Sequence, residues 1–113
     1  MRNILFYKHY FIAFYNAQPA EAQKKIEWIF GVISEWQWIP AKFFKSVRGS
    51  EGLYEIRILS SNRSIRIFCF FDSNNTLVIL NGIVKKRGRI PGQSLQLAYI
   101  LKREYQYETT RKH

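Results

Sequence analysis

The sequence predicts an α+β fold in which helices pack on a mostly antiparallel sheet. Three apolar segments, at residues 53–59, 64–71 and 77–84, follow one another with only short polar turns between them. Connections this short favour antiparallel neighbours, because a parallel return needs a crossover of about a dozen or more residues. Amphipathic segments with helical spacing precede and follow these strands. The predicted order of elements is therefore β-α-α-β-β-β-α.

The first third of the chain is predicted to form a short strand and two helices. Residues 3–8 are β-branched and aromatic enough for a strand, and residues 9–16 suit a short helix. Pro19 occupies a position typical of a first helical turn, and Pro40 is expected to end the longer helix that follows. Apolar residues recur along this helix at a spacing that indicates a buried face: Ala22, Ile26, Ile29, Phe30, Ile33 and Trp36.

The remaining segments complete a single domain over residues 1–113. Residues 40–52 are interpreted as a linker, because they combine scattered cations with a glycine-containing loop. A last helix is predicted from about Gln93 to Tyr107. The basic tail at residues 106–113 is expected to be flexible.

Composition excludes several classes of protein. Of the 113 residues, 47% are hydrophobic and 17% are aromatic, which excludes intrinsic disorder. The single cysteine, Cys69, lies in an apolar segment and is interpreted as a buried structural thiol. Two distant histidines, His9 and His113, supply neither a nucleophilic triad nor a metal site, so no metal or other cofactor is expected. No segment approaches the roughly 18 apolar residues of a membrane span, and a cytoplasmic location without membrane contact is expected.

Positive charge is the strongest functional signal in the sequence. There are 18 Lys and Arg residues against 8 Asp and Glu, which gives a formal net charge of +10. All but one of the residues at positions 85–89 are cationic, and they directly follow a predicted strand. A strand that ends in such a cluster is suited to binding a polyanion, and nucleic acid is the first candidate. The alternative interpretation is an ordinary basic surface loop.

The first predicted hairpin opposes two arginines. If residues 61–62 form its loop, Arg57 lies directly opposite Arg66 on the neighbouring strand. Two opposed guanidinium groups repel each other, and a bound phosphate removes the penalty because arginine binds phosphate through a planar fork. A local ion pair with Glu55 on a solvated polar face is the alternative interpretation.

The second predicted hairpin extends this polar face. If residues 72–75 form its loop, Phe71 pairs with Thr76, and Arg66 faces Asn81. Alternation along the strands then places four polar side chains on one side of the sheet: Arg57, Arg66, Asn81 and Lys85. A slip of one residue in either hairpin would break this set.

These residues suggest chemistry on RNA, because the 2′-hydroxyl group of RNA is a built-in nucleophile. Stabilisation of charge on the phosphate, the catalytic role, is assigned to three cations: Arg57, Arg66 and Lys86. Proton transfer is assigned to Glu55, Tyr54 or Tyr99, with a basic side chain of lowered pKa as the alternative base. Further contacts to RNA are assigned to polar and basic residues around them: Lys85, Arg87, Arg89, Arg63 and Asn81.

Aromatic residues are assigned mainly to the core. Most of the phenylalanines occupy alternating strand positions, where packing explains them better than base stacking does. Trp28, Trp36 and Trp38, on or after the long helix, are interpreted as packing residues or a partner-binding surface rather than as platforms for bases.

Four motifs follow one another in the second half of the chain. They are Gly52-Leu53-Tyr54-Glu55-Ile56-Arg57-Ile58, Arg66-Ile67-Phe68-Cys69-Phe70-Phe71, Leu80-Asn81-Gly82-Ile83-Val84-Lys85-Lys86 and Ile90-Pro91, before a helix that contains Ala98. This ordered set resembles the RelE/ParE toxin superfamily, and more narrowly its phage-derived, HigB-like branch. The resemblance covers about residues 3–107 and implies a RelE-like fold.

The resemblance also implies a function, that of the toxin in a type II toxin–antitoxin pair. Such toxins are typically mRNA interferases, which are metal-independent endoribonucleases that cut mRNA on translating ribosomes and block translation. Arg57 and Arg66 match positions that hold the scissile phosphate in the family, and Lys85 and Lys86 match a basic pair beyond the last strand. The implied partner is a small antitoxin, in this branch commonly a helix-turn-helix DNA-binding protein.

The sequence departs from the family pattern near the basic cluster. Val84 stands where an aromatic residue is common, and Arg87-Gly88-Arg89 replaces a more usual Thr-Gln-Lys-like stretch. A catalytic helper near the C-terminus of some relatives has three candidates here: Tyr99, Tyr105 and Tyr107. ParE-like inhibitors of gyrase share the fold, so a gyrase inhibitor and a non-catalytic RNA-binding protein are the alternative functions.

Overall fold

The computed structural model describes residues 1–86 and 88–111. This part of the chain forms five strands and three helices, in the following order: β1 (Ile4–Phe6), α1 (Tyr10–Asn16), α2 (Ala20–Glu35), β2 (Phe44–Ser46), β3 (Tyr54–Ser60), β4 (Arg63–Phe71), β5 (Leu77–Lys85) and α3 (Gly92–Arg111). The predicted α+β class is confirmed. None of these helices combines the length and the apolar character that crossing a membrane requires.

The strands form one mixed sheet in the order β1-β5-β4-β3-β2. Strand β1 runs parallel to β5, and the other neighbouring strands are antiparallel. Side chains of α1 and α2 pack on one side of the sheet and those of α3 pack on the other. Because β4 and β5 are covered on both sides over most of their length, their sequences are nearly continuous apolar runs rather than alternating ones.

Strand β2 lies in the segment predicted to be a linker, residues 40–52. It pairs antiparallel with the start of β3, and the connection between them uses positive φ at Gly49 (74°) and Gly52 (88°), a conformation that glycine adopts without strain. The predicted order of elements therefore lacks one strand. Strand β2 has three residues, as β1 does, but its sequence Phe44-Lys45-Ser46 lacks the apolar, β-branched composition that indicated β1.

Helix α2 has the buried face that its spacing predicted. Its buried residues are Ala22, Ile26, Ile29, Val32 and Ile33. The helix ends at Glu35 rather than at Pro40, because Trp36 takes an extended conformation (φ −84°, ψ 135°). Trp36 therefore lies outside the helix and is exposed, contrary to its place in the predicted stripe.

Helix α3 is longer than predicted and continues to Arg111, through positions expected to form a flexible tail. Its last turns are held to the N-terminal strand region, because the Tyr7 hydroxyl donates a hydrogen bond to the Glu108 carboxylate (2.8 Å) and the Lys8 ammonium pairs with Glu104. Residues 112–113, which include His113, lie outside the described residues.

The first hairpin has the predicted register. Ser60 pairs with Arg63 and Arg57 pairs with Arg66, so the two arginines are directly opposed on β3 and β4. The two-residue loop is completed by Ser61, whose φ of 52° is the left-handed conformation that such turns require.

The second hairpin departs from the predicted register by two residues. Its loop spans residues 72–76 because the Asp72 carboxylate accepts hydrogen bonds from backbone N–H groups at both Asn74 and Thr76 (2.9 Å each). This loop is one residue longer than predicted and shifts the register by one residue. A bulge after Phe68 shifts it by one residue more. Arg66 therefore pairs with Ile83 rather than with Asn81, and Phe71 does not pair with Thr76. Beyond the bulge the two shifts together amount to two residues, so the side of the sheet predicted for Asn81 and Lys85 is unchanged.

Candidate functional site

The candidate site lies on the side of the sheet that packs against α3, toward the end of the strands that α3 leaves open. Three rows of side chains cross β3, β4 and β5 on this side: Glu55–Phe68–Asn81, then Arg57–Arg66–Ile83, then Leu59–Ser64–Lys85. Phe68 in the first row is fully buried against α3, whereas Leu59 in the third row is 65% exposed. The arginine row therefore lies at the boundary between the core and the solvent.

Arg66 is held in place as a buried cation. Only 6% of the residue is exposed. Its Nη1 atom donates hydrogen bonds to Ser64 Oγ and to the backbone carbonyl of Ile65, both at 3.0 Å. Its Nε atom has no hydrogen-bond acceptor among the described residues. A buried donor left unsatisfied costs about 1–3 kcal/mol. The acceptor nearest to this nitrogen is Glu55 Oε1, at 3.8 Å, whereas Nη1 contacts Ser64 toward the open end of the site.

Glu55 lies between the two arginines. Its Oε1 atom is 3.6 Å from Arg57 Nε and 3.8 Å from Arg66 Nε. Burial lowers the pKa of the Arg66 guanidinium, the positive charge of Arg57 lowers it further, and Glu55 opposes both effects. One carboxylate compensates two guanidinium groups, so the group of three carries a net positive charge and favours an additional anion.

Arg57 faces an open groove at the edge of the sheet. Its side chain is 34% exposed, and its backbone N–H donates to the carbonyl of Phe43 (2.8 Å), just before β2 begins. The groove is lined by Lys42, Phe43, Arg57, Leu59, Ser64 and Arg66. An anion in this groove would therefore reach both arginines and a lysine.

Four of these groove residues, Lys42, Phe43, Leu59 and Ser64, were not predicted as site residues. Lys42 and Phe43 were assigned to a linker, so nothing in the sequence indicated that they lie beside Arg57. Ser64 had a usable signal, because a hydroxyl two positions before Arg66 on the same strand shares its side of the sheet.

The basic cluster continues β5 at the open end of the site. Lys85 is the cross-strand neighbour of Ser64 and shares the side of the sheet occupied by the arginine pair. Lys86 is exposed and, as the next residue of the strand, takes the opposite side. It forms a bridge with Arg89, whose N–H donates to the Lys86 carbonyl (3.0 Å), and Gly88 supplies the positive φ of the turn. Arg87 lies outside the described residues.

Asn81 shares the site's side of the sheet but is tied to α3. Its Nδ2 atom donates to the carbonyl of Ser94 (3.0 Å), and its Oδ1 atom is buried with no hydrogen-bond partner among the described residues. This amide fixes the first turn of α3 against β5, at the edge of the open region.

Other predicted site residues lie elsewhere. Arg63 takes the opposite side of β4, where its guanidinium donates to Gln18 (3.4 Å). Tyr54 also takes that side and stacks on Phe44, with ring centroids 4.8 Å apart. Tyr99 packs into the core beneath α3. Among the three residues predicted for proton transfer, Glu55 is the one that contacts the arginine pair.

The remaining candidates have structural surroundings. The Tyr105 hydroxyl donates to Asp72 (2.7 Å), and burial together with this hydrogen bond raises the pKa of Tyr105 to about 12. Tyr107 is exposed on α3. Cys69 is fully buried, and this burial raises the pKa of its thiol, as expected for a structural cysteine. Within the described ranges there is no group of three or more His, Cys, Asp or Glu side chains that could hold a metal ion.

A family model matches most of the chain. The family model described as "Phage derived protein Gp49-like (DUF891)" matches residues 13–103. The matched segment contains all three rows of the candidate site and every strand except β1. No curated protein matches the sequence.

Proposed function

The chain belongs to the Gp49-like family of phage-derived proteins, a family of RelE-like toxins in toxin–antitoxin systems, and we propose that it is an endoribonuclease that cleaves mRNA on translating ribosomes. The family implies a cognate antitoxin as its partner. The observation that carries the proposal is the arginine pair, Arg57 and Arg66, directly opposed across the sheet with a single carboxylate, Glu55, between them.

A phosphodiester group fits the charge and the donors of this pair. Arginine presents N–H groups in a planar fork that matches two phosphate oxygens. A phosphate at the open end of the site would supply the missing negative charge for both guanidinium groups. It would also remove the repulsion between them, which Glu55 alone compensates only in part.

The reaction that suits this arrangement is attack by the 2′-hydroxyl of RNA on the adjacent phosphorus. Glu55 accepts the proton of that hydroxyl as the new P–O bond forms and the bond to the 5′-oxygen breaks. The products are a 2′,3′-cyclic phosphate and a 5′-hydroxyl end, whose proton comes from water. Arg57 and Arg66 stabilise the negative charge that builds up on the phosphate, a contribution for which removing one donor typically costs about 10²–10³-fold in rate.

Cations around the pair would hold the flanking RNA. Lys85 lies on the same side of the sheet, one row away from Arg66, and would contact a neighbouring phosphate. Lys86 and Arg89, which form the exposed turn beyond β5, would contact the strand further along. Covering this surface is the simplest way for an antitoxin to inhibit the toxin, and a helix-turn-helix antitoxin of the HigB-like branch remains the predicted partner.

The test is inducible production of the chain in a bacterial host, followed by mapping of mRNA 5′ ends. We expect growth arrest and new in-frame 5′ ends with the wild type, and neither with the Arg57→Ala/Arg66→Ala variant. The matched control is Arg48→Ala/Arg103→Ala, which removes the same charge from exposed positions outside the site and should cleave like the wild type. Arrest without new 5′ ends would point to gyrase or another target, and cleavage by the double variant would contradict the site.

A second pair of variants separates loss of function from loss of folding, because Arg66 is buried. Arg57→Ala alters a partly exposed side chain, and Arg66→Lys keeps the buried charge but loses the fork. Both variants should unfold at a temperature close to that of the wild type, and both should still lose most of the cleavage activity. If both cleave at the wild-type rate, the arginine pair does not bind the scissile phosphate.

A further inference from the structure

One exposed tryptophan lies near the sheet edge at Arg57, on the side of the sheet that α2 covers rather than on the side of the arginine pair. Trp28, on the outward side of α2, is 55% exposed. Its ring meets the edge of Phe43, with centroids 5.6 Å apart and ring planes at 81°. Trp28 was predicted to be a packing residue or part of a partner-binding surface, and packing alone does not account for it, because more than half of the residue is open to solvent.

The hollow in front of this aromatic pair is cationic. Lys42 Nζ lies 4.9 Å from the centroid of the Phe43 ring, and the Lys25 ammonium donates a hydrogen bond to the backbone carbonyl of Leu59. Arg57 lines the same hollow. No acidic side chain lines it among the described residues.

The hollow and the arginine groove adjoin each other at the edge of the sheet. Lys42, Phe43, Arg57 and Leu59 line both of them. A chain bound through a phosphate at Arg57 and Arg66 would therefore pass the Trp28–Phe43 pair on its way over the edge of the sheet. The combination of exposed aromatic rings with flanking cations along one path is the arrangement by which proteins hold single-stranded nucleic acid.

We propose that Trp28 and Phe43 form a stacking subsite for the base of a nucleotide next to the phosphate held by Arg57 and Arg66. The inference rests on the proposed function, since it assigns the position of the RNA that this site would cleave. The stacked base would fix the direction in which the strand crosses the site. Lys25 and Lys42 would hold the phosphates on either side of that base.

The test compares two uncleavable probes on the folded protein. One is a 2′-O-methyl oligoadenylate, and the other has the same backbone with abasic residues. Fluorescence anisotropy at fixed salt should show that Trp28→Ala weakens binding of the adenylate about 5- to 150-fold, the range for one stacked base. Binding of the abasic strand should not change, and Trp28→Phe should retain most of the affinity. Trp36→Ala, at an exposed tryptophan beyond the far end of α2, is the matched control.

The outcomes separate this inference from the proposed function. If Trp28→Ala binds both probes as the wild type does, while Arg57→Ala/Arg66→Ala binds neither, the stacking subsite is wrong and the phosphate site stands. If the wild type binds neither probe, both proposals fail. Unchanged RNA binding together with weaker binding of the purified antitoxin would assign Trp28 to a protein interface and would overturn the stacking role.

Discussion

Glu55 is the residue whose replacement distinguishes binding from chemistry. Glu55→Gln keeps the shape of the side chain but removes the carboxylate that lies between the two guanidinium groups. RNA binding should tighten, because a phosphate no longer competes with this carboxylate for the arginines. The cleavage rate at saturating RNA should fall about 10²–10⁴-fold, the usual contribution of a general base. Single-turnover cleavage and anisotropy binding measure the two effects separately.

The matched control for this prediction is Glu35→Gln, at an exposed carboxylate near the end of α2. It should leave both binding and cleavage unchanged. Tighter binding with full cleavage in Glu55→Gln would show that Glu55 only balances charge and that another group takes the proton.

At the scale of single residues, sequence reasoning found the arginine pair because it needed only two facts. A two-residue loop sets the register of a hairpin, and alternation then sets the side of the sheet. Both hold for Arg57 and Arg66. Sequence reasoning could not find Lys42 or Phe43. These residues lie beside the site because β2, which directly follows them, pairs with β3, and the sequence of β2 did not indicate a strand.

At the scale of elements, the packing of α1 on β5 depends on a glycine. A Cβ atom at Gly82 would lie 2.6 Å from Cδ2 of Phe14, closer than two carbon atoms can approach. We expect Gly82→Ala to lower the free energy of unfolding by about 1–3 kcal/mol, the usual cost of overfilling a core. Chemical denaturation measures the change.

The control for Gly82 is a second glycine with the opposite expectation. Gly31 lies on the exposed side of α2, and a Cβ atom there would have no neighbour within 4 Å. Gly31→Ala should therefore raise the free energy of unfolding by about 0.5–1 kcal/mol, because alanine favours the helix. A stabilising Gly82→Ala would mean that α1 moves away from the sheet at little cost.

The elements also show why the second hairpin was only partly predictable. The side of the sheet was correct for Asn81 and Lys85 although the register was wrong by two residues. The longer loop arises from hydrogen bonds that two backbone N–H groups donate to Asp72, and the bulge after Phe68 adds the second shift. Neither leaves a signal in the spacing of apolar residues, which is the information that a sequence pattern contains.

At the scale of the whole molecule, Asp72 links the β4–β5 loop to α3. Burial alone would raise its pKa, but hydrogen bonds from the Tyr105 hydroxyl and from the backbone N–H groups of Thr76 and Asn74 lower it below its ordinary value. A carboxyl group with a lowered pKa in the folded state stabilises the protein above its unfolded-state pKa, and this stabilisation is lost as the pH falls through the folded-state value.

Acid should therefore destabilise the wild type more than Asp72→Asn. We expect the difference in unfolding free energy between the two proteins to be constant near neutral pH and to shrink as the pH falls below about 4. Denaturant titrations at several pH values measure it. A difference that does not change with pH would show that the hydrogen bonds stabilise the loop without coupling to the charge.

The net charge of +10 leads to a last prediction, which asks whether RNA binds to the site or to the whole basic surface. Binding of single-stranded RNA weakens with salt by about 0.7 log units per log unit of salt for each phosphate contacted. If the arginine pair holds one phosphate and Lys85 holds a second, Lys85→Ala should lower this slope by about 0.7. Arg103→Ala, which removes an exposed charge from α3, should leave the slope unchanged. Equal, small decreases in both variants would mean that RNA is held by charge spread over the surface, because only a defined path for the strand makes one cation count more than another.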